Sequence, residues 1–260
     1  MLARISPEIV GRSFVALETH TSQATKLLRG EISALRPGDL LTNVSRHGKI
    51  GLLHFSSMTL LAIRLGMSGR LVLREPAGPH DHLALRLSEN RVLTYADHRR
   101  FGALYVWPAA EAPNRPPLVD IGPDALLYPG LNPALLPSGT RTIKSALLDQ
   151  SVVAGLGNIY ACEALFRVGV DPRRPCSKIG SEERQRLVAE IRSLLTEAVA
   201  DRGGTLSDYR GTEGEAGAFD TKFAVYGREG RPCPGCTCGG SIVRIRQAGR
   251  STWFCQTRQN

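Results

Sequence analysis

The sequence predicts an α+β fold: an N-terminal β-sandwich, a helical second part, and a C-terminal β-hairpin of the kind a metal staples. Three observations carry this expectation. Short apolar runs parted by turn residues recur up to about Trp107. From 138 to 224 the apolar spacing becomes that of helices. Four of the six cysteines then fall between Cys233 and Cys255.

The strand candidates are 52–55, 60–65, 71–73, 83–87 and 92–95. Gly66, Ser68-Gly69, the proline-flanked 76–79 and Glu89-Asn90 supply turn chemistry between them. Regular short strands of this sort build a sandwich, assigned to 1–107. Residues 108–137 hold eight of the sixteen prolines and read as a linker, because proline breaks any long element. A helical domain follows over 138–224. One helix opens at Ile143-Lys144, Ala154-Gly155-Leu156-Gly157 interrupts it, and 158–166 forms the next. Ser181 is the expected N-cap of an amphipathic helix with Leu187, Ile191, Leu194, Leu195 and Ala198 on one face. Asp201-Arg202-Gly203-Gly204 stops it, and the glycine-rich 211–217 reads as a loop. Residues 225–260 form the hairpin.

Net charge is +9 with a pI near 9.6, which favours a polyanionic partner. No apolar run approaches the roughly 20 residues of a membrane-spanning helix. Met1-Leu2-Ala3-Arg4 leads into polar sequence with no secretory pattern. Clustered cysteines suit a metal in a reducing compartment. The expectation is a cytoplasmic, DNA-associated protein.

The hairpin opens with Cys233-Pro-Gly-Cys236 and closes with 249–255. Cys-x-x-Cys followed by further cysteine is the spacing of a thiolate zinc site. A fourth ligand is expected three residues after Cys255, where Arg258 stands instead. Cys238 can complete the set Cys233, Cys236, Cys238 and Cys255 around one zinc ion. The competing reading is a metal-free hairpin with leftover thiols. Six arginines and one acid lie between Tyr226 and Arg258, a composition suited to gripping phosphates.

Other motifs point the same way. Gly155-Leu156-Gly157-Asn158 lets backbone approach a phosphate, and Asn158 is expected to cap the following helix. Asp97-His98-Arg99-Arg100-Phe101-Gly102 pairs guanidiniums with a ring that can wedge between bases. Its bland alternative has an arginine pairing Asp97 and Phe101 in the core. Met67 sits in a tight turn, where filling a core gap is the ordinary reading. Arg46-His47-Gly48-Lys49 is a basic turn, ordinarily a solvated face.

Taken in order, these motifs resemble the bacterial formamidopyrimidine-DNA glycosylase / endonuclease VIII family, from about Pro7 to Arg258. The matching segments include Gly66-Met67-Ser68-Gly69, His80-Asp81-His82, Asp97 to Gly102, Ile143-Lys144 with Leu147-Leu148-Asp149-Gln150, Gly155 to Tyr160, Val225-Tyr226-Gly227-Arg228 and Gly249 to Cys255. The resemblance implies a helix–two-turn–helix motif beside a zinc-finger hairpin, with DNA held between the two domains. It implies a monomeric bifunctional glycosylase and AP lyase. Such an enzyme excises oxidised purines (8-oxoguanine, formamidopyrimidines) from damaged double-stranded DNA and cuts the backbone. Arg250 and Lys49 match catalytic, phosphate-binding positions. Met67, Arg99 and Phe101 match the residues that fill the vacated base position. His80, Asn158, Arg141, Lys144 and Tyr226 are the remaining DNA-binding candidates.

Three positions depart from the family pattern. The family opens on a proline whose amine is the nucleophile, followed by glutamate. Here Ile9-Val10-Gly11-Arg12 fits the end of the first helix, so the chain reads as an N-terminally shortened member. Pro7 fits an internal proline and takes no catalytic role. Arg64 stands where histidine is usual, and Arg258 where the fourth cysteine is. Three explanations follow: a misplaced start, a catalytically silent binder of lesions or abasic sites, or a substitute amine at Lys49 or Met1.

Overall fold

The structure is a computed structural model describing residues 2–127, 130–201, 222–235, 237 and 239–260. One compact unit runs to Asp120 and a second begins at Ile121, a break inside the proline-rich stretch.

The first unit is built from two sheets. Strands β1 (Phe14–Thr19), β6 (Arg70–Leu73), β7 (Asp81–Leu87) and β8 (Arg91–Ala96) pair in the order β1-β7-β8-β6. Strands β2 (Leu28–Gly30), β3 (Leu41–His47), β4 (Ile50–Phe55), β5 (Thr59–Arg64) and β9 (Ala103–Pro108) pair as β2-β9-β5-β4-β3. Leu83, Leu85, Leu93 and Tyr95 of the first sheet share one core with Leu53, Leu61, Ile63 and Leu104 of the second. A sandwich results because alternate side chains of each sheet need an apolar partner layer. Each fully buried Leu or Ile contributes about 1.5–3 kcal/mol, and Leu61→Ala would cost about 2–5 kcal/mol. Helix α1 (Leu2–Ile9) buries Ile5 and Ile9 in this core and contains Pro7. The four-residue α2 (Ala24–Leu27) leads directly into β2.

The second unit contains α3 (Ile143–Leu148), α4 (Asn158–Val168), α5 (Ser181–Ala200) and the hairpin β10 (Ile242–Gln247) with β11 (Arg250–Cys255). Leu187, Ile191 and Leu194 of α5 pack with Ile143, Leu147 and Leu165. Two capping expectations need correction. Ser181 is the first helical residue and Gly180 is the N-cap. The Glu183 carboxylate reaches back to accept the Gly180 N–H at 2.9 Å, the Glu half of a capping box. Likewise Gly157 is the N-cap of α4, and Asn158 is its first helical residue. Leu195 is only partly buried, whereas Val188 enters the core. The stop at 202–204 and the loop at 211–217 lie outside the described residues.

Gln150 fixes the turn before α4. Its side-chain oxygen accepts from Gly155 N–H at 3.0 Å, and its amide donates to the carbonyls of Leu148 and Leu156. Gly155 has φ +97°, which favours glycine.

Candidate nucleic-acid interface

In the first unit, two turns are locked together and present apolar tips. Buried Asp97 accepts hydrogen bonds from the Ser68 hydroxyl, from Tyr95 Oη at 3.0 Å and from Gly102 N–H at 2.9 Å. Ser68 Oγ in turn accepts from Arg99 N–H at 3.1 Å. Burial pushes the Asp97 carboxyl up, but these donors outweigh it and hold the group below the usual range. Burial, with the Asp97 charge, pushes the Tyr95 hydroxyl up, so it stays a donor. Gly66 and Gly102 make the close approach possible. A Cβ on Gly66 would lie 2.7 Å from the Phe101 carbonyl carbon, and one on Gly102 would strike the Tyr95 hydroxyl.

From this mount Met67 is 56% exposed and Phe101 53% exposed, with the Arg99 guanidinium 5.0 Å from the Phe101 ring centre. Neither bland reading holds. Phe101 and Met67 are outside the core, and the side-chain donors to Asp97 are Ser68 and Tyr95, not arginines. Ser68 and Tyr95 support this mount through Asp97, a role sequence reasoning did not assign to them. The Ser68-Gly69 turn was legible, but its tie to Asp97 crosses 29 residues.

Lys49 is exposed at the two-residue turn between β3 and β4, where Gly48 has positive φ. Arg46 donates to the Gly48 carbonyl at 3.1 Å and braces that turn. His80 is exposed, with its ring 6.1 Å from that of His98. Its neighbours are structural: Asp81 accepts from both terminal guanidinium nitrogens of Arg74, and His82 bridges Thr21 and the Asp97 carbonyl.

In the second unit, Lys144 forms a node rather than a surface grip. It is 1% exposed, and Nζ donates to Asn158 Oδ1 at 2.7 Å, Thr252 Oγ1 at 2.7 Å and Ser251 O at 3.2 Å. Asn158 Nδ2 also donates to Ser251 O at 3.0 Å. The expected phosphate contact of Lys144 is therefore corrected: three internal acceptors use its three donors. Burial lowers its pKa, Cys162 opposes this, and Arg250 adds to the lowering. The node ties α3 and α4 to β11, next to Arg250. Arg250 is exposed beside the Ala248-Gly249 turn, both of positive φ as a tight hairpin requires. Arg141 is 44% exposed and pairs with Asp149 at 2.9 Å. Tyr226 packs against Trp253, with ring centroids 4.2 Å apart and the planes tilted by 52°. Glu163, unremarked in the sequence, accepts the N–H groups of Ala224, Val225 and Tyr226 and fixes that segment.

Residues 1–104 match the family model "Formamidopyrimidine-DNA glycosylase N-terminal domain", and 129–210 match "Formamidopyrimidine-DNA glycosylase H2TH domain". The formamidopyrimidine-DNA glycosylase of Geotalea uraniireducens is 38% identical over 262 residues, covering 98% of this chain and 95% of that one. That of Rhodospirillum centenum is 47% identical over 215 residues, 76% of this chain and 74% of its own. The chain belongs to the formamidopyrimidine-DNA glycosylase family. Among solved structures, the MutM (Fpg) protein of Thermus thermophilus has a TM-score of 0.86 at 39% identity, covering 99% of this chain and 95% of that one. A Lactococcus lactis Fpg variant in complex with Fapy-dG-containing DNA has a TM-score of 0.85 at 27% identity, covering 100% and 96%.

Structural zinc is typical of formamidopyrimidine-DNA glycosylases, which makes the surroundings of the hairpin cysteines relevant. Buried Cys233 and Cys255 meet in one apolar cluster with Cys162, Phe166, Val225 and Ile242. Burial raises the Cys255 thiol, but the N–H of Arg258, the Cys233 thiol and Thr257 hold it below its usual value. The two thiols are thus within hydrogen-bond reach of each other. Cys236 and Cys238 lie outside the described residues. No group of three or more His, Cys, Asp or Glu suited to a metal occurs among the described residues. Arg258, at the expected ligand position, makes other bonds: Nη1 donates to Gly235 O at 2.7 Å and Nε to Phe166 O at 3.1 Å.

Proposed function

We propose that this chain is a base-excision repair enzyme, a bifunctional glycosylase and AP lyase. It removes oxidised purines such as 8-oxoguanine and formamidopyrimidines from damaged double-stranded DNA. The observation that carries the reading is the exposed Met67–Phe101 pair on a buried, fully bonded mount. A base inside a duplex is out of reach, so it must be flipped at a cost of about a few kcal/mol. Side chains that take its place in the stack offset that cost. Met67, Phe101 and Arg99 are placed to do so, with no core role to explain their exposure.

The remaining roles follow from charge and position. Arg250 binds the phosphates flanking the lesion, and Lys49 binds phosphate and transfers protons. His80, Arg141, Asn158 and Tyr226 support the backbone grip, Asn158 through the Lys144 node. Strand cleavage needs an amine that forms an imine with the sugar and a group to shuttle protons. The silent-binder alternative is weaker, because relatives matching nearly the whole chain are named as the enzyme. The protein acts as a monomer in the bacterial cytoplasm, at the nucleoid.

A structural zinc ion on Cys233, Cys236, Cys238 and Cys255 belongs to the same reading. When bound it cross-links the hairpin and takes no part in the chemistry. Cys238→Ser should lower metal content as much as Cys255→Ser; full retention removes Cys238 from the set.

Borohydride trapping on an abasic-site duplex tests the enzyme. A covalent adduct, with excision from an 8-oxoguanine duplex, is the expected result. Binding to both duplexes with neither adduct nor excision would leave a damage-binding protein.

A further inference from the structure

The position where a fourth cysteine is expected is mechanically occupied. Arg258 donates from three nitrogens to three carbonyls: Nη1 to Gly235 at 2.7 Å, Nε to Phe166 at 3.1 Å and Nη2 to Arg167 at 3.3 Å. Its guanidinium also lies 4.9 Å from the Phe166 ring centre. Gly235 belongs to the Cys233-Pro-Gly-Cys236 turn that opens the hairpin. Phe166 and Arg167 lie in the last turn of α4, where a cation is favoured; the Phe166 carbonyl also accepts the Gly169 N–H at 3.1 Å. The fit is close: a Cβ on Gly235 would lie 2.8 Å from Phe166 Cζ and 3.1 Å from Arg258 Nε.

The next residue continues the join. Gln259 is 1% exposed; its side chain accepts from Cys255 N–H at 2.9 Å and donates to Val170 O at 2.9 Å. Hence the residues after β11 stitch both ends of the hairpin to the end of α4 without any thiolate. An isolated two-stranded hairpin is marginal in water, and a metal is one remedy. Charge-assisted hydrogen bonds to a helix end, with aromatic packing, are another.

We infer that Arg258 is a positioning residue that docks the hairpin on α4, so that the hairpin keeps its place, and Arg250 its aim, when no metal is bound. Any metal on the cysteines is then an addition to a hairpin already held.

Hydrogen exchange of the β10–β11 amides in the full chain reads the docking directly, before and after stripping with a strong chelator. The expected result is equal protection in both states. Arg258→Ala should lose protection on the order of tenfold, with or without added zinc. Arg258→Cys restores the missing thiolate and should make protection zinc-dependent, a chemically specific rescue that ordinary packing damage would not show. Loss of wild-type protection on chelation with recovery on zinc would overturn the inference, and needs no variant to fold. So would unchanged protection in Arg258→Ala. The consequence for Arg250 rests on the repair reading, and abasic-site affinity measured on the same stripped protein should stay within about twofold of the untreated value. Because exchange is read without DNA, failure of the repair reading is distinguishable from failure of the clasp.

Discussion

Lys144 and Asn158, on successive helices, meet at 2.7 Å inside the second unit, and both side chains also bond the backbone of Ser251. The pair makes the aim of Arg250, one residue earlier on β11, a property of the helical core. Lys144→Met keeps the bulk but leaves Asn158 Oδ1 and Thr252 Oγ1 short of a donor. The expected loss is about 1–3 kcal/mol. Urea denaturation followed by Trp253 fluorescence, with Trp107 replaced by Phe, isolates the second unit's signal.

The same lysine sets an alkaline signature. Burial, the main cause, lowers its folded pKa. Below that value both states hold the proton and the full penalty for a buried charge applies. Between it and the unfolded value of about 10.4, the unfolded chain binds more proton, so stability rises with pH. Wild type should gain stability over Lys144→Met as pH climbs towards about 10. Parallel denaturation midpoints across that window would exclude the assignment.

Asp97 predicts the opposite limb. Its carboxyl is held below the usual range, so its contribution is complete above the unfolded value of about 3.9 and fades as pH falls through the folded one. Asp97→Asn would set an amide N–H₂ against donors and should cost about 1–3 kcal/mol at neutral pH. Acid melts of the first unit, read at Trp107, should show a shallower limb in the variant.

Met67→Ala and Phe101→Ala separate function from stability. Both side chains are more than half exposed, so melting should shift by no more than about 0.5 kcal/mol. Excision of 8-oxoguanine should fall by roughly 5- to 150-fold for Phe101→Ala, the equivalent of about 1–3 kcal/mol of stacking on a base. Single-turnover excision assays beside thermal melts decide it.

Arg250→Ala should weaken binding to an abasic-site duplex and reduce the slope of log affinity against log salt by about 1, one phosphate contact fewer. A salt titration of binding is sufficient, and an unaltered slope would remove Arg250 from the phosphate grip.

Much of the frame was legible from local pattern. The stretches 83–87 and 92–95 carry their apolar residues in short runs bounded by turn residues, and both are strands. β3 escaped notice because Thr42, Asn43, Ser45 and Arg46 blur its alternation; its pairing with β4 decides it. β2 depends on a parallel partner, β9, far along the chain. The site divides in the same way. Turns bearing Met67, Lys49 and Arg250 show in glycine placement. The inward role of Lys144 does not, because its acceptors lie 14, 107 and 108 residues away. Arg258 looked like a lost ligand for a similar reason: two of its three carbonyls are more than 90 residues distant.

The mount beneath Met67 and Phe101 separates what can vary from what cannot. Asp97, Ser68, Gly66 and Gly102 interlock so closely that a change at any one displaces the others. The two tips are more than half exposed. On the repair reading, the side chains that replace the flipped base can therefore be exchanged at 67 and 101 while the frame beneath them is kept. A library confined to those two positions would vary the stacking wedge in a uniformly folded population.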